Sequence, residues 1–443
     1  MKAACVFLIV YGVGLAEPLW AASEATPSPV HPLWMIPFWL LLLMIAVAPF
    51  IHETWWEHNY PPVALGLGCL IAVYYSAGRG ETGRVWNTAS EYISFIALVG
   101  SLYTVTGGVW VHIQKRATPL MNTGLLLIGS ILSNLVGTTG ASVLLIRAYL
   151  RMNRGRVHGY HLVFFIFLVG NVSGMLTPVG DPPLFLGYLK GIPFFWPLQA
   201  LWPIWGVSVA MLLGLFYLID RRTPALAATN SSEQEEGEKT VWIEGKINFL
   251  FLIIILISLF QPSPLREISL IVSAMAGYAL SKKEILERNG FNFIPIKEVA
   301  ILFFGIFMTM IPTLDWLTSN AAELGLSAPI QFFWITGLLS AMLDNAPTYL
   351  TFLSAAFGLY HLNIDLNGDV GRFLTEHAIY LRAVSAGAVL FGAMTYIGNA
   401  PNFLVKTIAT QAGIAVPTFL GYTKYSVVIL MPLFLLIGFL FFS

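Results

Sequence analysis

The chain has 443 residues, 57% of them hydrophobic and only 10% charged, and 23 lysines and arginines balance 23 aspartates and glutamates. A soluble domain carries about 25% charge, so the composition excludes one, and the neutral balance excludes a nucleic-acid surface or an acidic partner. Cys5 and Cys69 lie in apolar runs with no CxxC pair or histidine spacing, which excludes a disulfide framework and a zinc finger.

Met1 and Lys2, the apolar run from Ala3 to Ala16, and then Glu17 and Pro18 read as a secretory signal. Gly14, Leu15 and Ala16 form its small-residue cleavage site; an uncleaved first helix is the alternative, and residues 1–30 are set aside as leader. Six apolar stretches follow at 34–51, 61–78, 91–113, 122–150, 160–190 and 199–219, within a first repeat spanning 31–219. The polar segment 220–247 reads as a cytoplasmic linker. A second repeat, 248–443, holds six more stretches at 248–261, 265–281, 298–313, 329–357, 378–410 and 425–442. Runs approaching the roughly 20 residues of a spanning helix, in place of short alternating segments, predict an all-α polytopic membrane protein.

The repeats match where their residues are unusual. Thr177, Gly180, Asp181 and Pro183 align with Thr395, Gly398, Asn399 and Pro401 at an offset of 218, and Ser133-Asn134 aligns with Asp344-Asn345 at 211. Polar residues, glycine and proline inside an apolar span break helices, and such breaks survive at membrane depth only against protein or water. The fourth stretches, 29 residues each, are too long for one crossing and too short for two. They are predicted to be re-entrant hairpins with tips at 133–139 and 344–348. The fifth stretches are predicted to be crossing helices broken at 177–183 and 395–401.

Five crossings plus one hairpin per half then place Lys115, Arg116, Arg147, Arg151, Arg154, Arg156, Arg221, Arg222, Lys239, Lys246, Lys282, Lys283, Arg288, Lys297 and Lys424 on one side. The other side receives Arg79, Arg84, Lys190, Arg266, Arg372 and Arg382, so the first side is cytoplasmic. Five is odd, so the second repeat is inverted. An inverted repeat with paired broken helices at the midplane is the pattern of secondary transporters. No GxSxG, HExxH, Walker A or strand-linked GxGxxG motif is present, so neither an enzyme nor a cofactor is expected.

Asp181 and Asp344 are the acids inside the broken segments, where an ionisable group costs about 2.5–3.5 kcal/mol and marks a functional site. Capping of a half-helix is the alternative role. Ser133, Asn134, Thr138, Asn345, Thr348, Thr177, Thr395 and Asn399 supply hydroxyl and amide oxygens suited to a small cation. Gly137, Gly180 and Gly398 permit turns, and Pro178, Pro182, Pro347 and Pro401 enforce the breaks. The segment from His52 to His58 reads as an interfacial loop with a tryptophan belt, Asp315 as an outer vestibule charge, and Glu91 and Glu298 as interfacial helix starts.

At these motifs the sequence resembles the ion transporter superfamily of arsenite permeases, NhaD-type sodium/proton antiporters, citrate–metal symporters and divalent-anion/sodium symporters. The resemblance implies that hairpin tips and helix breaks form the ion and substrate sites, and that a transport domain moves against a scaffold, commonly in a homodimer. The carboxylate-importing branch resembles Ser-Asn-Thr in both hairpins, whereas here Leu135 follows Asn134 and Asp344 stands where a serine is usual. A carboxylate there repels an anion and favours a cation or proton. The expectation is therefore a Na⁺ (or Li⁺)/H⁺ antiporter of the bacterial inner membrane, its ions competing for Asp344 and Asp181. The rival is a proton- or sodium-coupled citrate, organic-anion or citrate–metal symporter, for which Lys406 is the one intramembrane cation.

Overall fold

The computed structural model describes residues 30–113, 117–223 and 241–443. The signal reading and most of the linker reading lie outside these residues. The first repeat contains α1 (Ile36–Ile51), α2 (Glu53–Val73), α3 (Thr82–Gly107), α4 (Pro119–Met152), α5 (Gly159–Leu168), α6 (Pro182–Leu189) and α7 (Trp196–Arg222). The second contains α8 (Ile247–Ser258), α9 (Leu265–Leu280), α10 (Lys283–Arg288), α11 (Ile294–Asn320), α12 (Pro329–Ser340), α13 (Asn345–Leu359), α14 (Asn367–Glu376), α15 (Ala378–Phe391), α16 (Ala400–Gln411) and α17 (Phe419–Phe442). Among the described residues seven helical runs are long and apolar enough to cross a membrane, and the protein is an all-α polytopic membrane protein.

Helix starts follow local chemistry. Prolines whose missing N–H costs nothing in a first turn open α4, α6, α12 and α16. The Thr118 hydroxyl accepts from the Met121 amide at 3.2 Å, and the Thr418 hydroxyl from Gly421 at 3.1 Å. α5 and α15, the first halves of the two fifth stretches, are almost wholly buried, while α7 and α17 turn Trp202, Leu218, Val428 and Phe439 outward. In lipid the outermost helices keep apolar faces, so this layering is that of a bundle in a bilayer.

α4 is a hairpin. Its backbone reverses at Gly137, whose φ of 78° and ψ of 155° leave the helical region for one that favours glycine. The Asn122 and Asn153 side chains at its ends exchange hydrogen bonds of 2.9 and 2.8 Å. A straight helix would hold those residues about 46 Å apart at about 1.5 Å per residue. α12 and α13 form the matching hairpin around a turn at 341–344, and the Tyr380 ring lies 5.4 Å from both Phe332, near its first end, and Tyr360, just past its last.

The hairpins enter from opposite faces. The ends of α4 lie with the end of α7, where Asp220 accepts from Asn122 and Arg156, and that face also carries Arg147, Arg151 and Arg154. The open end of the second hairpin lies at the other face, where Asp365 meets Arg84 and Lys190. The two repeats are thus inverted, with their tips meeting between the faces.

Several boundaries differ from those predicted. The third stretch stops being helical at Gly107, and Trp110–Ile113 (β1) pairs antiparallel with Val241–Glu244 (β2). The second tip is the turn before Asn345, so Thr348 lies inside α13, because the Asp344 side chain caps that helix from the Ala346 amide at 2.9 Å. The breaks are longer than 177–183 and 395–401: regular α-helix is absent from Val169 to Asp181 and from Gly392 to Asn399. His52 is a hinge between α1 and α2, and the residues after it through His58 are helical rather than a loop.

Candidate functional site

Asp181 is fully buried at the N-terminus of α6 and gathers three donors from three other elements. Its Oδ2 accepts from Asn345 Nδ2 at 2.7 Å; its Oδ1 accepts from Asn399 Nδ2 at 2.9 Å and from Thr138 Oγ1 at 3.1 Å. Thr138 begins the returning arm of α4, Asn345 the returning arm of the second hairpin, and Asn399 ends the second break. The side-chain carbonyl of Asn345 is buried with no hydrogen-bond partner. An orphaned amide oxygen beside a buried carboxylate is a ready oxygen ligand for a small cation. Among the described residues no three His, Cys, Asp or Glu side chains converge, so a cation here would meet one carboxylate with neutral oxygens.

Asp181 and Asn399 are equivalent under the 218-residue offset and touch each other, which places both on the axis relating the repeats. The hairpins relate by 207 residues instead of 211. Thr177 donates to the Asn134 carbonyl and Thr395 to the Ala341 carbonyl, each at 2.6 Å, while Ser133 and Ser340 donate to the carbonyls of Val169 and Ala388. Thr138 and Asn345 also stand 207 apart, and both reach Asp181. Asp344 therefore occupies the place of the tip residue Gly137.

The breaks are built on glycine pairs. A Cβ on Gly180 would lie 2.1 Å from the Gly174 carbonyl oxygen, and one on Gly398 2.6 Å from that of Gly392. Gly174 and Gly392 escaped sequence reasoning although the 218 offset relates them too. Asn171 and Asn402 were also missed; Asn171 Nδ2 donates to Asn402 Oδ1 at 2.6 Å, joining the first break to the first turn of α16.

Of the residues singled out in the sequence, Asp181, Thr138, Asn345 and Asn399 come together. Ser133, Asn134, Thr177, Thr395 and Thr348 do not: each spends its side chain on nearby backbone, Asn134 accepting from the Leu176 amide at 2.9 Å and Thr348 donating to the Asp344 carbonyl at 2.9 Å. Asp344, half-buried, faces a cavity of about 380 Å³ walled by both hairpin tips, both breaks, α3 and α11. That volume lies in the range of about 300–1,000 Å³ usual for small-molecule sites. Asp181 sits just behind the wall, since Gly180, Pro182 and Asn399 line it. Among the described residues the acidic side chains on the wall are Asp344 and Glu298, and no lysine or arginine lines it. Lys406 does not reach the cavity; its ammonium rests on the rings of Tyr396 and Phe403 at 5.0 and 5.7 Å. Asp315 is not an open vestibule charge, being 4% exposed and bonded to Tyr75 and Arg84.

A family described as "Putative citrate transport" matches residues 28–442. No curated protein matches the chain. The match makes the protein a secondary transporter, in agreement with the inverted hairpins and paired breaks. The chain belongs to this citrate-transport family, within the ion transporter superfamily.

Proposed function

We propose that the protein is a proton- or sodium-coupled symporter that carries a citrate-class carboxylate, its charge offset by a bound cation, across a bacterial inner membrane. The observation that carries this reading is the placement of Asp344 on, and Asp181 just behind, the wall of a cavity that no lysine or arginine among the described residues lines. A free tricarboxylate would meet like charge there at low dielectric and be repelled. A carboxylate complexed with a cation presents little net charge, and Asp181 and the orphaned Asn345 carbonyl offer the coupling ion its own oxygens. The family match supports the organic substrate, and the acid-lined cavity supports the cation accompanying it.

The same lack of wall cations favours a second reading, Na⁺ (or Li⁺)/H⁺ exchange at Asp181 and Asp344 without an organic substrate. Labelled-citrate uptake into proteoliposomes, with and without a divalent cation and under imposed Na⁺ or pH gradients, separates the two. Uptake that requires both the divalent cation and a gradient is the expected result. Dissipation of a pH gradient by Na⁺ or Li⁺ with no citrate uptake would replace the first reading with the second.

A further inference from the structure

A second cavity, of about 610 Å³, opens on the basic face. Arg147 and Arg151, from the end of α4, and Arg154, just beyond it, converge on it opposite Gln411 and the turn that closes α16. Arg151 is held rather than neutralised: its Nη2 donates to the Val111 carbonyl at 2.8 Å, and its guanidinium lies 4.3 Å from the Trp110 ring centre. Arg147 Nη1 is buried with no hydrogen-bond partner. Among the described residues none of the three arginines makes an ion pair, whereas neighbouring Arg156 pairs with Asp220 at 2.5 Å. Three uncompensated guanidinium groups around one cavity repel one another, and a multivalent anion relieves that repulsion with bidentate hydrogen bonds.

The cavity neighbours the first along α16. Thr407 lines the central cavity and Ile408 this one. Arg147 follows Thr138 by nine residues on one arm, about 13 Å at about 1.5 Å per residue. We propose that this arginine cavity is a second binding site, for the free multivalent carboxylate stripped of its cation. The assignment rests on the carboxylate reading above and extends it: the acidic centre takes the charge-compensated substrate, and the basic cavity holds the bare anion on the cytoplasmic side.

Isothermal calorimetry with the full chain in detergent, citrate as titrant and all solutions freed of divalent cations on a chelating resin, tests this. Wild-type protein binds citrate, more weakly as salt rises. The double variant Arg147→Gln/Arg154→Gln loses at least tenfold in affinity, and Arg372→Gln, an exposed arginine outside both cavities, keeps it. Arg154→Glu, at an exposed position that leaves the core untouched, also weakens binding at least tenfold should the double variant fail to fold. Equal citrate affinity in wild type and the Arg154→Glu variant overturns the proposal. Inorganic phosphate binding as tightly as citrate, or loss of citrate binding in nanodiscs of phosphatidylglycerol, also overturns it by assigning the cavity to phosphate or to a lipid headgroup. Citrate binding here without citrate transport in proteoliposomes would defeat the functional reading and leave this site standing.

Discussion

Asp181 accepts hydrogen bonds from Thr138, Asn345 and Asn399, so its side chain ties both repeats together through acceptor oxygens alone. An asparagine there keeps the shape but turns an N–H₂ toward at least one donor, and a hydrogen bond to a charged group is worth about 1.5–3 kcal/mol. Asp181→Asn is therefore expected to lower coupled uptake at least tenfold while the protein still elutes as a single species in detergent; wild-type uptake rates in that variant would remove Asp181 from coupling. Gly180 tests the scaffold behind it. Its hypothetical Cβ overlaps the Gly174 backbone, so Gly180→Ala forces the chain apart at about 1–3 kcal/mol or more and lowers the melting temperature. Gly206, in α7, has nothing within 4 Å of the same construction, and Gly206→Ala is expected to leave melting unchanged or raise it slightly. Equal melting of the two variants would show that the glycine pair yields easily. These glycines were legible where they sat beside an aspartate or asparagine, at Gly180 and Gly398. Gly174 and Gly392 were not, because nothing in a side-chain pattern marks a residue whose work is backbone approach.

The ion network at the non-basic face is assembled from five elements. Arg84, on α3, bonds Asp365 at 2.6 Å and Asp315, on α11, at 2.7 Å; Lys190, just past α6, bonds Asp365 at 2.6 Å and Glu91, on α3, at 2.7 Å. Tyr75 donates to Asp315 at 2.7 Å. Asp365, in the loop after α13, is thus the link between the second hairpin and α3. Burial pushes its carboxyl up, but the attraction of Lys190 and Arg84 outweighs burial and holds it below the usual carboxylate range. A carboxyl so depressed contributes stability that is fully present above its unfolded pKa, about 3.9, and is lost as pH falls through its folded value. The melting difference between wild type and Asp365→Asn should be constant from about pH 8 to 5 and shrink below about pH 4; a difference that grows with acid would refute the linkage. Periodicity and composition placed the hairpin tips and the second break within a few residues but began the first break eight residues late, at Thr177 instead of Val169, because only its Gly-Asp-Pro-Pro end carries breaking residues. The same reasoning misaligned the tips by four residues, because it matched Asn134 to Asn345 by identity whereas the equivalence is carried by backbone carbonyls. It could not pair Arg84 with Asp365, 281 residues away, since no local pattern encodes that contact.

Ion pairs tie the elements together at the Arg84 face, whereas arginines that make no ion pair among the described residues gather at the other. Between the central cavity and the Arg84 network, Phe95 stacks on Phe303 at 4.7 Å and lies 5.8 Å from Phe307, and the ion pairs seal the layer above. Toward the basic face the cavity wall includes Tyr103, Ile296 and Thr407, and among the described residues no ion pair joins these elements there. Inverted hairpins whose tips meet on a pseudo-twofold axis can exchange these two conditions by moving together, and the Arg84 network is the cost of leaving this one. A ligand or variant shifts such an equilibrium only by its differential interaction with the two states, so breaking the network should move the population toward opening at the Arg84 face. With Cys5 and Cys69 replaced by serine, Thr407→Cys should react with a membrane-impermeant thiol reagent applied from the basic face and stay unlabelled from the other. Adding Asp365→Ala should slow that labelling several-fold, since each state-specific 1.4 kcal/mol is a factor of ten in population and a network bond to a charged group carries about that much. Labelling of Thr407→Cys that proceeds equally from both faces, or is unmoved by Asp365→Ala, would separate the network from access.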